Sequence, residues 1–312
     1  MRRRGTPVDG VLLLDKPVGI TSNAALQRAK RAIGAARAGH IGTLDPLASG
    51  LLPVCFGEAT KFSQGLTDAD KTYRATIRLG QRTTTGDAEG EIIAQMPVAA
   101  DEAAVRAAVA SLQGGMEQVP PMHSAVKHQG KPLYAYARAG ETVARAARPI
   151  TIHAIALEQW APPEATVHVR CSKGTYVRTL AETLGERLGC GAHLAGLRRL
   201  AVGGLGLDTA VTLADWEAMA TVLRADRLLP PDRLVDHLPK VALDAPRAAC
   251  FRQGQTVAVG EVAAEAASAR VYAVDDGAFI GLGARLADGL LKPLRLVAIP
   301  AGSLAAKSGE SS

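Results

Sequence analysis

Residues 39–53, Gly-His-Ile-Gly-Thr-Leu-Asp-Pro-Leu-Ala-Ser-Gly-Leu-Leu-Pro, restrict the possible fold more than any other stretch of this chain. The run is apolar and glycine-rich, and it carries one isolated carboxylate, Asp45, with His40 five residues before it. Pro46 has no N–H and biases Leu44-Asp45 towards extended or turn geometry, while Gly42 and Gly50 permit tight backbone. A lone acid among leucines, prolines and small residues is expected in a poorly hydrated turn, where an unpaired charge is costly. Either the acid caps a turn, or the chain places it there for chemistry.

The flanking segments read as an α+β protein. Gly10-Val11-Leu12-Leu13-Leu14-Asp15 predicts a buried strand, ended by Lys16-Pro17 and Gly19, and Ser22 is expected to cap a helix carrying Leu26, Ala29 and Ile33 on one face. Lys71–Leu79 alternates with period two, Tyr73, Ala75, Ile77 and Leu79 sharing one face. Asp101–Leu112 predicts an amphipathic helix stopped by Gly114-Gly115. Strands are expected at Ile150–Leu157 and Val167–Cys171. The turn Ser172–Thr175 then opens a helix with Val177, Leu180, Ala181, Leu184 and Leu188 as its stripe. Beyond a helical segment near 213–228 and the prolines 230, 231 and 239, short strands around an Asp276-Gly277 hairpin signal predict a small β-barrel-like module.

At 312 residues the chain suits one large domain plus a smaller one. Residues 1–40 hold eight Lys/Arg against Asp9 and Asp15, which equals the whole net charge of +6. That concentration suggests a polyanion partner. Residues 119–149 lack clean periodicity and interleave five Lys/Arg with His123, His128, Tyr134 and Tyr136, a mixture suited to a folded RNA surface. The four cysteines are widely spaced without a C-x-x-C pair, so neither a disulfide framework nor a metal site is expected. No apolar run is long enough for a membrane span, and a cytoplasmic protein is expected.

Three segments hold candidate chemistry: Asp45 in its loop, Tyr73 in a strand, and Lys173–Arg178 at a strand-to-helix turn. Arg178 would supply the cation that Asp45 lacks, fixing its rotamer, or it would instead bridge to Glu182 at i+4. Tyr73 reads equally as a core tyrosine.

These segments carry a resemblance. GHIGTLDPLASGLLPVCFGEATKF resembles the catalytic motif of bacterial tRNA pseudouridine-55 synthases of the TruB type. GVLLLDKPVGITS, KTYRATIRLGQRTTTGDAEG, CSKGTYVRTLAETLG and GCGAHLAGLRR resemble further motifs of that family in the same order, and the C-terminal module resembles a PUA domain. The resemblance implies a pseudouridine synthase fold at 10–236, with an RNA-binding insertion at 119–149 and a PUA-like domain at 238–301. Residues 1–9 and 303–312 are expected to be disordered. It also implies roles: Asp45 as nucleophile, Arg178 as its partner, Tyr73 stacked on the target base. Tyr176 and Leu197 would line the nucleotide pocket, His40 would fill the gap left by a flipped base, and Lys16 and Asp87 would lie near the RNA. The implied activity is isomerisation of uridine 55 in the tRNA T-arm without metal or cofactor, by a monomer needing no protein partner. His123 stands where the family usually has tyrosine, and Thr84 where an acid is common. A non-catalytic tRNA-binding or folding factor on the same scaffold is the alternative. A guide-RNA-directed synthase fits less well, given the stand-alone motif set.

Overall fold

The computed structural model describes residues 5–259 and 267–298. The expected disorder at 1–4 and 303–312 lies outside the described residues. Residues 5–9 depart from expectation: Thr6 N–H donates to Gly34 O (2.9 Å) and Ala36 N–H to Thr6 O (3.0 Å). The segment thereby satisfies polar groups at the end of the first helix.

Fourteen strands precede the C-terminal module. They are β1 (Gly10–Lys16), β2 (Ala38–His40), β3 (Ala48–Phe56), β4 (Lys71–Leu79), β5 (Gln81–Thr83), β6 (Ile92–Gln95) and β7 (Gly114–Gln118). There follow β8 (Lys127–His128), β9 (Lys131–Pro132), β10 (Arg148–Ala161), β11 (Glu164–Cys171), β12 (Ala192–Val202), β13 (Leu205–Gly206) and β14 (Val211–Thr212). Ten of them form one mixed sheet ordered β14-β1-β3-β12-β4-β11-β10-β7, with β2 on β3 and β13 on β12. Only β1–β14 and β3–β12 pair in parallel within it.

The apolar run of β1 is continuous because both of its faces are covered. Leu12 and Leu14 pack with Ala25, Leu26 and Ala29 of the Ser22–Ile33 helix and with Trp216. Val11 and Leu13 face the opposite cluster around Phe62 and Leu234. The period-two reading of β4 holds: Ala75, Ile77 and Leu79 are buried beneath the Glu102–Ala110 and Val177–Arg187 helices, through Val105, Val109, Leu180 and Leu184.

Ser22 is not the helix cap. Thr21 accepts from Ala24 N–H (3.1 Å) instead. The Ser22 hydroxyl is buried and bonds both ends of one residue, receiving from Leu44 N–H (2.8 Å) and donating to Leu44 O (2.9 Å). The first helix therefore clamps the residue just before Asp45.

The C-terminal strands are β15 (Lys240–Leu243), β16 (Val257–Ala258), β17 (Ser268–Ala273), β18 (Phe279–Arg285) and β19 (Leu290–Leu296). They form a five-stranded sheet ordered β15-β17-β18-β19-β16 around Leu243, Phe251, Val271 and Ile280. This curled sheet is the expected PUA-like half-barrel, with β17 and β18 joined at Asp276-Gly277. It docks on the large sheet through an edge-on Phe62–Phe279 contact (5.1 Å between centroids) and a hydrogen bond from Lys61 Nζ to Leu296 O (3.0 Å).

Ser22→Ala strands a buried N–H and a buried C=O on Leu44, so a loss of about 2 kcal/mol is expected. The loss reads as a lower urea midpoint at unchanged slope. An unchanged midpoint would mean that the Asp45 turn is held by other contacts.

Candidate active site

Asp45 sits in the turn between β2 and β3. Ala48 N–H donates to Asp45 O (3.0 Å), and Gly19 N–H ties Pro46 O (2.8 Å) to the loop after β1. Beneath this turn lies Arg199 of β12, 1% exposed. Its Nε donates to Leu51 O (2.7 Å) and its Nη2 to Gly42 O (2.9 Å), so one guanidinium ties the start of the turn to β3. The chain leaves room for it at Gly50 (φ +101), where a Cβ would stand 2.2 Å from Arg199 O.

A second guanidinium holds the acid itself. Arg178, in the first turn of the Val177–Arg187 helix, places Nη2 3.1 Å from Asp45 Oδ2 and Nη1 3.5 Å from Asp87 Oδ2. It also donates to His123 O (2.6 Å) and Thr85 O (3.3 Å). Its ion pairs are thus with Asp45 and Asp87 and not with Glu182, which closes the alternative left open by the i+4 spacing. Asp87 is buried and is fixed in turn by Thr85 Oγ1 (2.5 Å) and Glu89 N–H (3.1 Å). The helix start is set by Gln118, which receives from Tyr176 N–H (2.7 Å) and donates to Tyr176 O (3.1 Å).

The expected dryness applies to the loop and not to its head group. Ile41 and Leu44 are buried, whereas the Asp45 side chain is 48% exposed. The carboxylate opens into a pocket of about 250 Å³ walled by Tyr73, Ser124, Tyr176 and Leu197. A second compartment of about 330 Å³ shares Asp45 and Ser124 and extends to Asp87, Glu89, Tyr134 and Arg138. Burial raises the Tyr73 phenol above its ordinary pKa, against the influence of Arg199, so Tyr73 is a neutral ring here.

Residues 30–177 match the family described as "TruB family pseudouridylate synthase (N terminal domain)", and 178–236 and 239–297 match two TruB C-terminal domains. A tRNA pseudouridine synthase B of Cupriavidus pinatubonensis is 57% identical over 298 residues, spanning 93% of this chain and 94% of that protein. One of Burkholderia mallei is 58% identical over 302 residues, spanning 95% and 99%. This chain belongs to the TruB family of pseudouridine synthases. Solved structures carry the same fold. The chain of a Cbf5-Nop10-Gar1 complex has a TM-score of 0.69 at 26% identity, over 93% of this chain and 84% of that one. An archaeal box H/ACA Nop10-Cbf5 complex contains another, with a TM-score of 0.71 at 24% identity, over 94% and 87%.

In this TruB-family chain, Asp45, Tyr73, Tyr176, Arg178 and Leu197 come together around one pocket. Two expected site residues stand elsewhere. Lys16 is fully buried, its ammonium donating to Pro17 O (2.8 Å) and Ile20 O (2.7 Å), so it offers no surface to RNA. His40 ends β2 outside both compartments, half-buried, and its Nδ1 has no hydrogen-bond partner in the protein. Asp87 holds Arg178 at the second compartment. Of the N-terminal basic residues, Lys16 is interior and Arg28 bridges to Glu217 (2.5 Å), while Arg2, Arg3 and Arg4 lie outside the described residues.

Sequence reasoning missed Arg199 and Gln118 as supports. The signal for Arg199 was a charged residue inside an apolar strand, directly opposite Tyr73 in the β12–β4 register. Gln118, at the end of β7, left no signal short of the fold.

Arg178→Ala leaves the buried Asp87 without its cation and frees Asp45, so turnover is expected to fall by at least two orders of magnitude. A near-normal rate in a single-turnover assay would remove the pairing from the mechanism. Lys16 adds a pH signature. Burial lowers its pKa to about 8, against an unfolded value near 10.4. Between those limits the unfolded chain binds the extra proton, so stability rises with pH, by up to about 1.4 kcal/mol per unit from this group. Urea midpoints at pH 8 and pH 10 should diverge between wild type and Lys16→Met in favour of wild type, and a constant difference would refute the shift.

Proposed function

We propose that this chain isomerises uridine 55 in the T-arm of tRNA to pseudouridine, with Asp45 as the nucleophile. The observation that carries the reading is the fixed Asp45–Arg178–Asp87 network at the mouth of a pocket walled by Tyr73, Tyr176 and Leu197.

The reaction breaks the C1′–N1 bond, turns the uracil in place, joins C5 to C1′, releases the C5 proton and leaves N1 protonated. It is redox-neutral and balances without a cofactor. The uridine must leave its stack, at a few kcal/mol. Tyr73, held neutral by burial, offers its ring face to the extruded base and offsets part of that energy. Arg178 orients the Asp45 carboxylate. Because that carboxylate is half-exposed in the free protein, the arriving nucleotide is what excludes water from it, so the detached sugar meets uracil before it meets water.

The insertion at 119–149 supplies RNA contacts beside this site. Lys131 stacks over Tyr136 (4.4 Å) and Arg138 over Tyr134 (5.4 Å), giving flat cationic surfaces on the side of the second compartment. Residues 10–236 act as the catalytic domain and 238–301 as a PUA-like RNA-binding domain, in a cytoplasmic protein that works as a monomer without a protein partner. His40 fills the gap in the T-loop stack. A purely RNA-folding factor would have no use for the Arg178–Asp45 pair.

The test is to incubate the purified protein with unmodified tRNA, map pseudouridine, and follow tritium released from C5-labelled uridine. Wild type is expected to convert position 55, and Asp45→Asn to bind tRNA while releasing no tritium above background. Full turnover by Asp45→Asn would overturn the assignment of the nucleophile.

A further inference from the structure

One buried polar side chain at the pocket has no task in the chemistry above. Ser124 is 5% exposed, its Oγ is shielded and without a hydrogen-bond partner among the described residues, and the residue lines both compartments around Asp45. A buried hydroxyl left unpaired is unfavourable, and in a native structure it points to a missing partner.

Several neighbouring groups are already committed. Arg178 is taken by two carboxylates and two carbonyls. The Tyr176 peptide is bonded on both sides by Gln118. Thr175 Oγ1 donates to Ser172 O (3.0 Å), and Tyr73 stands opposite Arg199 in the β12–β4 register. Ser124 itself is held in place by its backbone: Tyr134 N–H donates to Ser124 O (3.0 Å), and the preceding carbonyl, His123 O, receives Arg178. A hydroxyl fixed on both flanks loses little further freedom when a ligand arrives.

The ligand expected in this pocket is uracil, whose polar edge runs carbonyl, N–H, carbonyl. We propose that the Ser124 hydroxyl recognises the flipped base by donating a hydrogen bond to a uracil carbonyl oxygen. This inference rests on the pseudouridine synthase reading. It also suits the reaction's particular demand. Exchanging N1 for C5 at C1′ amounts to a half-turn of the ring about its N3–C6 axis, which interchanges O2 and O4. A donor facing one carbonyl before the turn therefore faces the other after it. A hydroxyl, able to rotate, keeps its partner in both orientations.

The full-length protein with Ser124→Ala tests this in single-turnover assays on a T-arm RNA, alongside wild type. The variant is expected to convert uridine about tenfold more slowly. It should bind RNA as wild type does, and its thermal midpoint should not fall, because the deleted hydroxyl has no protein partner. Substrates with 2-thiouridine or 4-thiouridine at the target position give the second arm, since sulfur accepts hydrogen bonds weakly. At least one of them should slow wild type several-fold and slow Ser124→Ala no further. The proposal is overturned if the variant matches wild type, if its midpoint drops along with its activity, or if both thio effects persist undiminished in it. If wild type itself forms no pseudouridine, the function reading fails instead, and the two failures are distinct.

Discussion

The site depends on a single buried guanidinium. Arg178 touches the Asp45 loop, the Asp87 turn and the carbonyl of His123 at once, so three segments separated by 78 residues of chain meet at one planar group. Each contact is charge-assisted, and the guanidinium fork fixes directions as well as distances. Lysine would provide the charge without the geometry. The arrangement also ties the 119–149 insertion to the site, since His123 O within it receives the guanidinium that orients the acid.

Much of this was legible in the residues. β4 alternates because one of its faces is core, and β1 is apolar throughout because both of its faces are. Asp45, Tyr73 and Arg178 each stood out as polar residues against an apolar pattern, and the family motifs supplied their roles. What the residues hid were functions that depend on tertiary distance. Ser22 looks like a helix cap in isolation, because the helix it opens is local while Leu44, its real partner, is not. The family resemblance implies that Lys16 lies near the RNA, and the residues alone give no sign that two carbonyls and the nearby Asp45 hold it in the interior. Within the charge excess of residues 1–40, the fold takes Lys16 into the interior and pairs Arg28 with Glu217.

Two arginines divide the labour at the turn. Arg199 is structural, tied to backbone carbonyls through Nε and Nη2 and out of reach of solvent. Arg178 stands one layer nearer to the pocket and leaves Asp45 accessible. Separating the cation that builds the loop from the cation that orients its acid lets the loop remain rigid while the carboxylate stays open to a large substrate.

The position of β12 carries a consequence for how the protein comes into being. This strand lies between β3 and β4, pairing Leu197 with Ala48 and Arg199 with Gly50, although 149 residues of chain separate the partners. Closing so long a loop is entropically slow. During synthesis the first half of the sheet must therefore wait, split open at its middle, until β12 emerges from the ribosome. The turn bearing Asp45 gains its ties to Arg199 only when that central strand slots in, so the site is completed late in synthesis.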